Sequence, residues 1–176
     1  MHKKTIFDLR RDDLDTFRAK AKIPLVLVAD NIRSLNNVGS LFRTCDAFMV
    51  SGICLCGITA VPPSPEIHKT ALGAEDSVAW RHYDDTLDAL RDLRADGYTI
   101  CCLEQVDGSV SLDTWRPDPA GRYAIVIGNE VDGVAQAVVD ASDLCLEIPQ
   151  YGTKHSLNVS VSAALALWEA FKALHG

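Results

Sequence analysis

The sequence predicts an α/β domain: a largely parallel sheet with helices on both faces. Three observations carry that expectation. Short apolar runs alternate with helical patterns along most of the 176 residues. The runs are almost continuously apolar, as strands buried on both faces are. Polar residues collect just beyond several of them, where ligands of open α/β sheets bind.

Residues 1–22 come first. They hold seven Lys/Arg (3, 4, 10, 11, 18, 20, 22) against four Asp (8, 12, 13, 15), a net of +3, which leaves −10 for the remainder of a chain at −7. They read as a basic helical segment, either solvated or docking RNA. Residues 23–176 read as one domain. Strands are expected at Leu25–Ala29, Gly52–Cys56, Tyr98–Leu103, Tyr123–Ile127 and Leu144–Ile148, with a weaker one at Val78–Tyr83. Helical patterns cover Val38–Phe48, Thr86–Ala95 and Val134–Ala141. A last helix, from about Leu157 to Leu174, puts Leu157, Val161, Ala164, Leu165 and Trp168 on one side, a core face or an interface. Pro62-Pro-Ser-Pro65 and Arg116-Pro-Asp-Pro119 read as loops within the domain.

Composition narrows the class. Hydrophobic residues are 48 % and charged residues 23 %, values of a globular protein. No apolar stretch follows the basic start, and none approaches the roughly 18 residues of a spanning helix, so a cytosolic location without membrane contact is expected. The six cysteines form no CxxC pair and the histidines show no ligand spacing, so no metal is expected. Most of the cysteines sit in strand-like runs and read as small buried hydrophobes. The net acidity excludes indiscriminate binding to nucleic acid.

Three strand ends concentrate polar groups. The first is Asp30-Asn-Ile-Arg-Ser-Leu-Asn-Asn-Val-Gly-Ser-Leu-Phe-Arg-Thr44. Asn37 suits a helix cap there, and Arg43, about two turns into the helix, either reaches an anion or pairs with an internal Asp. The second is Ile127-Gly-Asn-Glu-Val-Asp-Gly133. Gly128 permits close approach of backbone and ligand, Gly133 permits a turn, and Glu130 either caps amides or partners an arginine. The third is Ile148-Pro-Gln-Tyr-Gly-Thr-Lys-His-Ser-Leu-Asn158, in which Ser156 and Asn158 are capping types. The dinucleotide G-x-G-x-x-G, the phosphate loop and the G-x-S-x-G elbow are missing from the sequence. The residues alone therefore reach a cytosolic α/β domain with an anion-friendly site at its strand ends.

In this order, the three segments resemble the motifs of the SpoU (TrmH-like) branch of the SPOUT methyltransferases. Asn31, Asn37, Val38, Gly39, Arg43 and Thr44 match N-x-x-x-x-x-N-V-G-x-x-x-R-T. Ile127, Gly128, Glu130, Gly133 and Val134 match I-G-x-E-x-x-G-V. Ile148, Pro149, Gly152, Ser156, Leu157, Asn158, Val159, Ser160 and Val161 match the third pattern, I-P-x-x-G-x-x-x-S-L-N-V-S-V-A-x-A. Gln150 stands where many members have Met, and Ser162 where many have Ala.

The resemblance implies a SPOUT-type mostly parallel sheet with a C-terminal trefoil knot, a rare exception to unknotted chains. It implies a homodimer with active sites at the subunit interface. It also implies S-adenosylmethionine as cofactor, lined by Gly128, Ile148 and Leu157, with Leu103 or Glu104 from the preceding strand end. The reaction implied is 2′-O-methylation of an RNA ribose. Arg43 is then the leading catalytic residue, with Asn37, Glu130, Ser156 and Asn158 orienting it and the ribose. Because arginine keeps its charge, the expected role is to clamp a phosphate and stabilise the developing alkoxide, while phosphate or water takes the proton. His155 is expected to contact the loop or RNA rather than act as base.

The segment Pro63-Ser-Pro-Glu-Ile-His-Lys-Thr-Ala-Leu-Gly-Ala74, with Glu147-Ile-Pro-Gln150, is similar to the large eukaryotic tRNA guanosine 2′-O-methyltransferases that act in the D-loop. A tRNA substrate is therefore favoured. Ribosomal RNA or the tRNA wobble ribose is the alternative, and an idle RNA-binding SPOUT module is the rival class.

Overall fold

The computed structural model describes residues 1–5, 7–9 and 11–175, Phe7 by its backbone only. Arg10, one of the basic residues counted above, lies outside the described residues. A 3-10 turn over Phe7–Leu9 precedes α1 (Leu14–Ala19), and no residue of α1 is buried. The Asp13 carboxylate caps α1 by accepting the Thr16 N–H at 2.8 Å. Arg18 donates to the Asp76 carbonyl, which holds the helix to the body.

The body then runs β1 (Ile23–Asp30), α2 (Leu35–Ala47), β2 (Val50–Cys56), α3 (Pro65–Ala71), α4 (Ala74–Ser77), β3 (Trp80–Tyr83) and α5 (Thr86–Ala95). It continues through β4 (Thr99–Leu103), β5 (Val110–Ser111), β6 (Tyr123–Ile127), α6 (Gln136–Asp140), β7 (Leu144–Glu147) and α7 (Val159–Leu174). The seven strands form one sheet in the order β3-β2-β1-β6-β4-β7-β5. Every strand pairing is parallel.

The alternation of side chains along β1 divides the core. Leu25, Leu27 and Ala29 face Val38, Leu41 and Phe42 of α2 and Ala163, Ala166 and Leu167 of α7. Val26 and Val28 face Ala89, Leu90 and Leu93 of α5 and Val138 of α6. Helices thus cover both faces. The last strand, β7, enters the sheet between β4 and β5, two strands laid down earlier.

Several boundaries differ from the sequence expectation. Helix α2 begins at Leu35, three residues before Val38, because Ser34 and not Asn37 is the cap; its Oγ accepts the Asn37 N–H at 3.3 Å. The Pro62-Pro-Ser-Pro65 stretch leads directly into α3, with Ser64 as cap and Pro65 in the first turn, where a missing N–H costs nothing. α6 is shorter than the Val134–Ala141 pattern, and α7 starts at Val159, capped by Asn158. Strand β5, only two residues long, escapes any periodicity.

Candidate active site

Parallel pairing brings the carboxyl ends of β1, β4, β6 and β7 to the same edge of the sheet, with Cys102 opposite Val126 and Leu103 opposite Leu146. The segments leaving β4, β6 and β7 enclose a cavity of about 790 Å³. Its apolar wall includes Leu103, Leu146, Ile148 and Leu157, and its polar wall includes Glu104, Glu130, Ser156 and Asn158. All five residues expected to hold a donor (Leu103, Glu104, Gly128, Ile148, Leu157) line it.

The β6–α6 loop is built from its own backbone. Asn129 and Gly133 exchange N–H···O bonds of 2.9 and 3.0 Å, and the Asn129 side chain accepts the Val131 N–H at 2.8 Å. A Cβ on Gly128 would lie 2.2 Å from the Gly133 carbonyl carbon and the Val134 nitrogen. Gly128 is thus required by the closeness of its own loop, a demand the sequence reading placed on a ligand. Gly133 has φ +70, and a Cβ there would meet Glu104 Oε2 at 2.3 Å. That oxygen accepts the Val134 N–H at 2.9 Å, while Oε1 accepts the Gln105 N–H at 2.9 Å, so Glu104 fixes both sides of the cavity mouth.

Glu130 draws the three segments together. Its carboxylate accepts the N–H groups of Arg33 (2.9 Å) and Ser34 (3.0 Å) and the Asn37 side-chain amide (2.9 Å). Of the two readings left open for Glu130, amide capping holds. Partial burial raises its pKa, but the bonds from Arg33 and Asn37 outweigh this and leave it below the ordinary carboxylate value. Asn37 Oδ1 in turn accepts from Asn158 Nδ2 at 3.2 Å. Because Ser34 does the capping, the Asn37 side chain is free for this bridge. Asn37, Glu130, Asn158 and Ser156 therefore gather at one place.

Arg43 does not join them. It is exposed on α2, outside the cavity lining, and makes no side-chain hydrogen bond or ion pair among the described residues. The outward side of α7 carries Val161 (48 % exposed), Leu165 (41 %) and Trp168 (44 %). Trp168 packs against Phe48 with ring centroids 5.6 Å apart and stacks on Phe171 at 5.7 Å. The stripe seen in the sequence is thus the outer one. The core face is Val159, Ala163, Ala166, Leu167 and Ala170.

Three further residues support the site. Asp30, 2 % exposed at the end of β1, accepts from Thr86 Oγ1 at 2.5 Å, Asn31 Nδ2 at 2.9 Å and the Ala135 N–H at 3.1 Å. Asn129 Nδ2 donates to the Asn31 carbonyl at 3.0 Å, and Gln105 Nε2 to the His155 carbonyl at 2.7 Å. A carboxylate closing an apolar run was the available signal for Asp30; nothing local marked Gln105. Five cysteines are buried and Cys145 is half-buried. Burial pushes the thiols of Cys54, Cys56 and Cys101 up to about 11, 12 and 12, which suits packing rather than nucleophilic work. Among the described residues no group of three or more His, Cys, Asp or Glu is placed to hold a metal, and no helix is long and apolar enough to cross a membrane.

The sequence pattern of the SpoU rRNA Methylase family matches residues 24–168. The chain belongs to the SpoU rRNA Methylase family. Among curated relatives of this SpoU chain, the 23S rRNA (guanosine-2′-O-)-methyltransferase RlmB of Vibrio vulnificus is 30 % identical over 164 residues, 93 % of this chain and 65 % of that protein. The RlmB of Nitrosomonas europaea is 35 % identical over 150 residues, 84 % of this chain and 56 % of that one. The chain thus spans less than two thirds of these relatives. Among solved structures, an AdoMet-bound rRNA methyltransferase from Sinorhizobium meliloti superposes with TM-score 0.79 at 28 % identity, over 90 % of this chain and 60 % of that one. The A. aeolicus TrmH/SpoU tRNA modifying enzyme gives 0.80 at 27 %, over 92 % and 82 %. These likenesses confirm the SPOUT-type fold.

Proposed function

We propose that this SpoU domain methylates a ribose 2′-hydroxyl of RNA with S-adenosylmethionine, and that its acceptor is a guanosine of the tRNA D-loop. The observation that carries the reading is the meeting of three segments far apart in sequence at one cavity, tied by the Glu130–Asn37–Asn158 bonds. The residues fit the donor. About 790 Å³ suits a molecule of that size, and Leu103, Leu146, Ile148 and Leu157 offer an apolar wall beside loops rich in backbone polar groups. The bound donor would supply an electrophilic methyl group on a sulfonium.

The chain's own groups have the remaining work. Glu130 and Asn37 fix the start of α2 and, through Asn158, the start of α7, so that Ser156 and Asn158 present hydroxyl and amide to a ribose in a preset place. Arg43 grips the adjacent phosphate and stabilises negative charge developing on the 2′-oxygen, and the proton leaves to phosphate or water. Two features support a homodimer in which Arg43 serves the cavity of the second copy: its position outside its own cavity and the apolar stripe on α7. Action in the cytoplasm, where RNA is processed, accords with this reading.

A second acceptor, a guanosine of 23S rRNA, is favoured by the names of the curated relatives. Incubating the protein with labelled donor and either unmodified tRNA transcripts or 23S rRNA transcripts, then mapping 2′-O-methyl sites, separates the two. Arg43→Ala should retain donor binding by calorimetry and lose most turnover. RNA binding without any methyl transfer by the wild-type chain would identify an idle RNA-binding module instead.

A further inference from the structure

The ten lysines and arginines of residues 23–176 separate by what they touch. Lys69, Arg91, Arg94 and Lys172 form ion pairs. Arg116 donates to the carbonyls of Asp113 and Trp115. Arg122 lies over the Tyr98 ring, and Arg81 is exposed on the edge strand β3, outside the lining of the cavity. Three others are exposed and make no side-chain hydrogen bond or ion pair among the described residues: Arg33, Arg43 and Lys154. All three stand in the segments that frame the site. Arg43 already has its role; the other two do not.

Their positions are fixed by the backbone. The Arg33 N–H is held by the Glu130 carboxylate at 2.9 Å, which puts Arg33 at the lip of the cavity. Lys154 precedes His155, which lines the cavity and whose carbonyl accepts from Gln105 at 2.7 Å. The same loop carries Tyr151, whose ring is almost wholly in solvent at 96 % exposure, between Pro149 and the cavity residues His155 and Ser156. On a body with a net charge of −10, an RNA strand is repelled except where uncompensated cations meet it.

We propose that Arg33, Lys154 and Tyr151 form the RNA grip of this site. The two cations hold phosphates on either side of the acceptor nucleotide, and Tyr151 stacks on the neighbouring base. The inference rests on RNA being the substrate and adds which residues seize it. Phosphate contacts fix position without reading sequence, and stacking tolerates any base. The grip therefore orients a looped-out strand over the cavity and leaves the choice of nucleotide to other contacts.

The test is fluorescence anisotropy of labelled unmodified tRNA and 23S rRNA transcripts against salt, with the full chain and the variants Arg33→Gln, Lys154→Gln, Tyr151→Ala and Tyr151→Phe. Each lost cation should reduce the slope of log K against log salt by about 0.7, the value for one single-strand phosphate contact. Tyr151→Ala should weaken binding about tenfold or more at unchanged slope, and Tyr151→Phe should restore it. Donor affinity by calorimetry and sedimentation should match wild type in all four. Unchanged slopes with wild-type affinity in Tyr151→Ala overturn the grip, as does a change of sedimentation in Tyr151→Ala, which would make the ring a subunit contact. Wild-type protein that neither binds nor methylates either RNA overturns the underlying function as well. Methyl transfer that persists with unaffected variants overturns the grip alone.

Discussion

Gly39 lies where α2 crosses α3, and replacing it with alanine tests how the helix bearing Asn37 and Arg43 is held. A Cβ at this point would come within 2.1 Å of Thr70 Oγ1, 2.2 Å of the Ile67 carbonyl oxygen and 3.0 Å of the Ala71 nitrogen. Unstrained contact needs about 3.5 Å, so the helices must part by on the order of 1 Å. The threonine can rotate, at the loss of its 2.9 Å bond to the Asn36 carbonyl, but the Ile67 carbonyl is backbone and cannot. Overpacking of this kind costs about 1–3 kcal/mol. The lost hydrogen bond adds about 1 kcal/mol, and alanine's helix propensity returns about 1 kcal/mol. The net of about 1–3 kcal/mol should lower Tm by roughly 2–12 °C in a chain of this length. Gly152→Ala is the control: nothing lies within 4 Å of its Cβ, so a change within about 0.5 kcal/mol is expected. Thermal unfolding by circular dichroism reads both. Single-turnover methylation of Gly39→Ala should fall more than donor affinity does, because α2 shifts and the donor wall does not. A Tm at or above wild type would refute the account of the crossing.

Glu130→Gln keeps one acceptor and loses the charge, and should cost about 1 kcal/mol, toward the low end for a charged hydrogen bond because the group is exposed. Since the folded pKa of Glu130 is lowered, its contribution is present above the unfolded value near 4.3 and lost as pH falls through the folded value. The stability gap between wild type and Glu130→Gln, measured by urea unfolding, should be constant above about pH 5 and close below about pH 4.5. A gap that widens in acid would reverse the sign. Asp30→Ala leaves the Thr86 hydroxyl and the Ala135 N–H without their acceptor in a buried place, and should cost about 2–4 kcal/mol in the same assay. A loss under 1 kcal/mol would mean that water replaces the carboxylate.

The long-range architecture was legible because burial on both faces leaves a simple trace. The runs at Leu25–Ala29 and Tyr123–Ile127 lie within or coincide with β1 and β6, since such strands must be apolar throughout. Strand order was not legible. The insertion of β7 between β4 and β5 depends on a two-residue strand whose sequence, Val110-Ser111, has no period. α3 was hidden by its prolines, which break a helix in its interior but are tolerated in its first turn. Within the site, residue types were readable and roles less so. Asn37 looked like a cap, yet Ser34 takes that task three residues earlier and frees the amide for Glu130 and Asn158. Gln105 lies 50 residues from the loop it anchors, a distance no local pattern spans.

The bonds that gather the site bear on the role proposed for Arg43. Glu130 is occupied by Arg33, Ser34 and Asn37, and Asn158 by Asn37 and the first turn of α7. None of them faces the guanidinium, which projects from α2 outside its own cavity. If the proposed dimer is correct, each arginine completes the other copy's site. That arrangement has a signature no single-subunit site can imitate. Gly128→Val should close the β6–α6 loop on itself, since even a Cβ meets backbone at 2.2 Å, and abolish donor binding in its subunit. Arg43→Ala leaves the cavity whole but removes the reaching cation. Each variant alone should be nearly inactive. Co-refolded at equal amounts, half the dimers are mixed, and each mixed dimer pairs one intact cavity with one intact arginine, restoring about a quarter of wild-type turnover by two-fold symmetry. If Arg43 worked within its own subunit, every site in the mixture would be defective, and turnover would stay at the level of the separate variants.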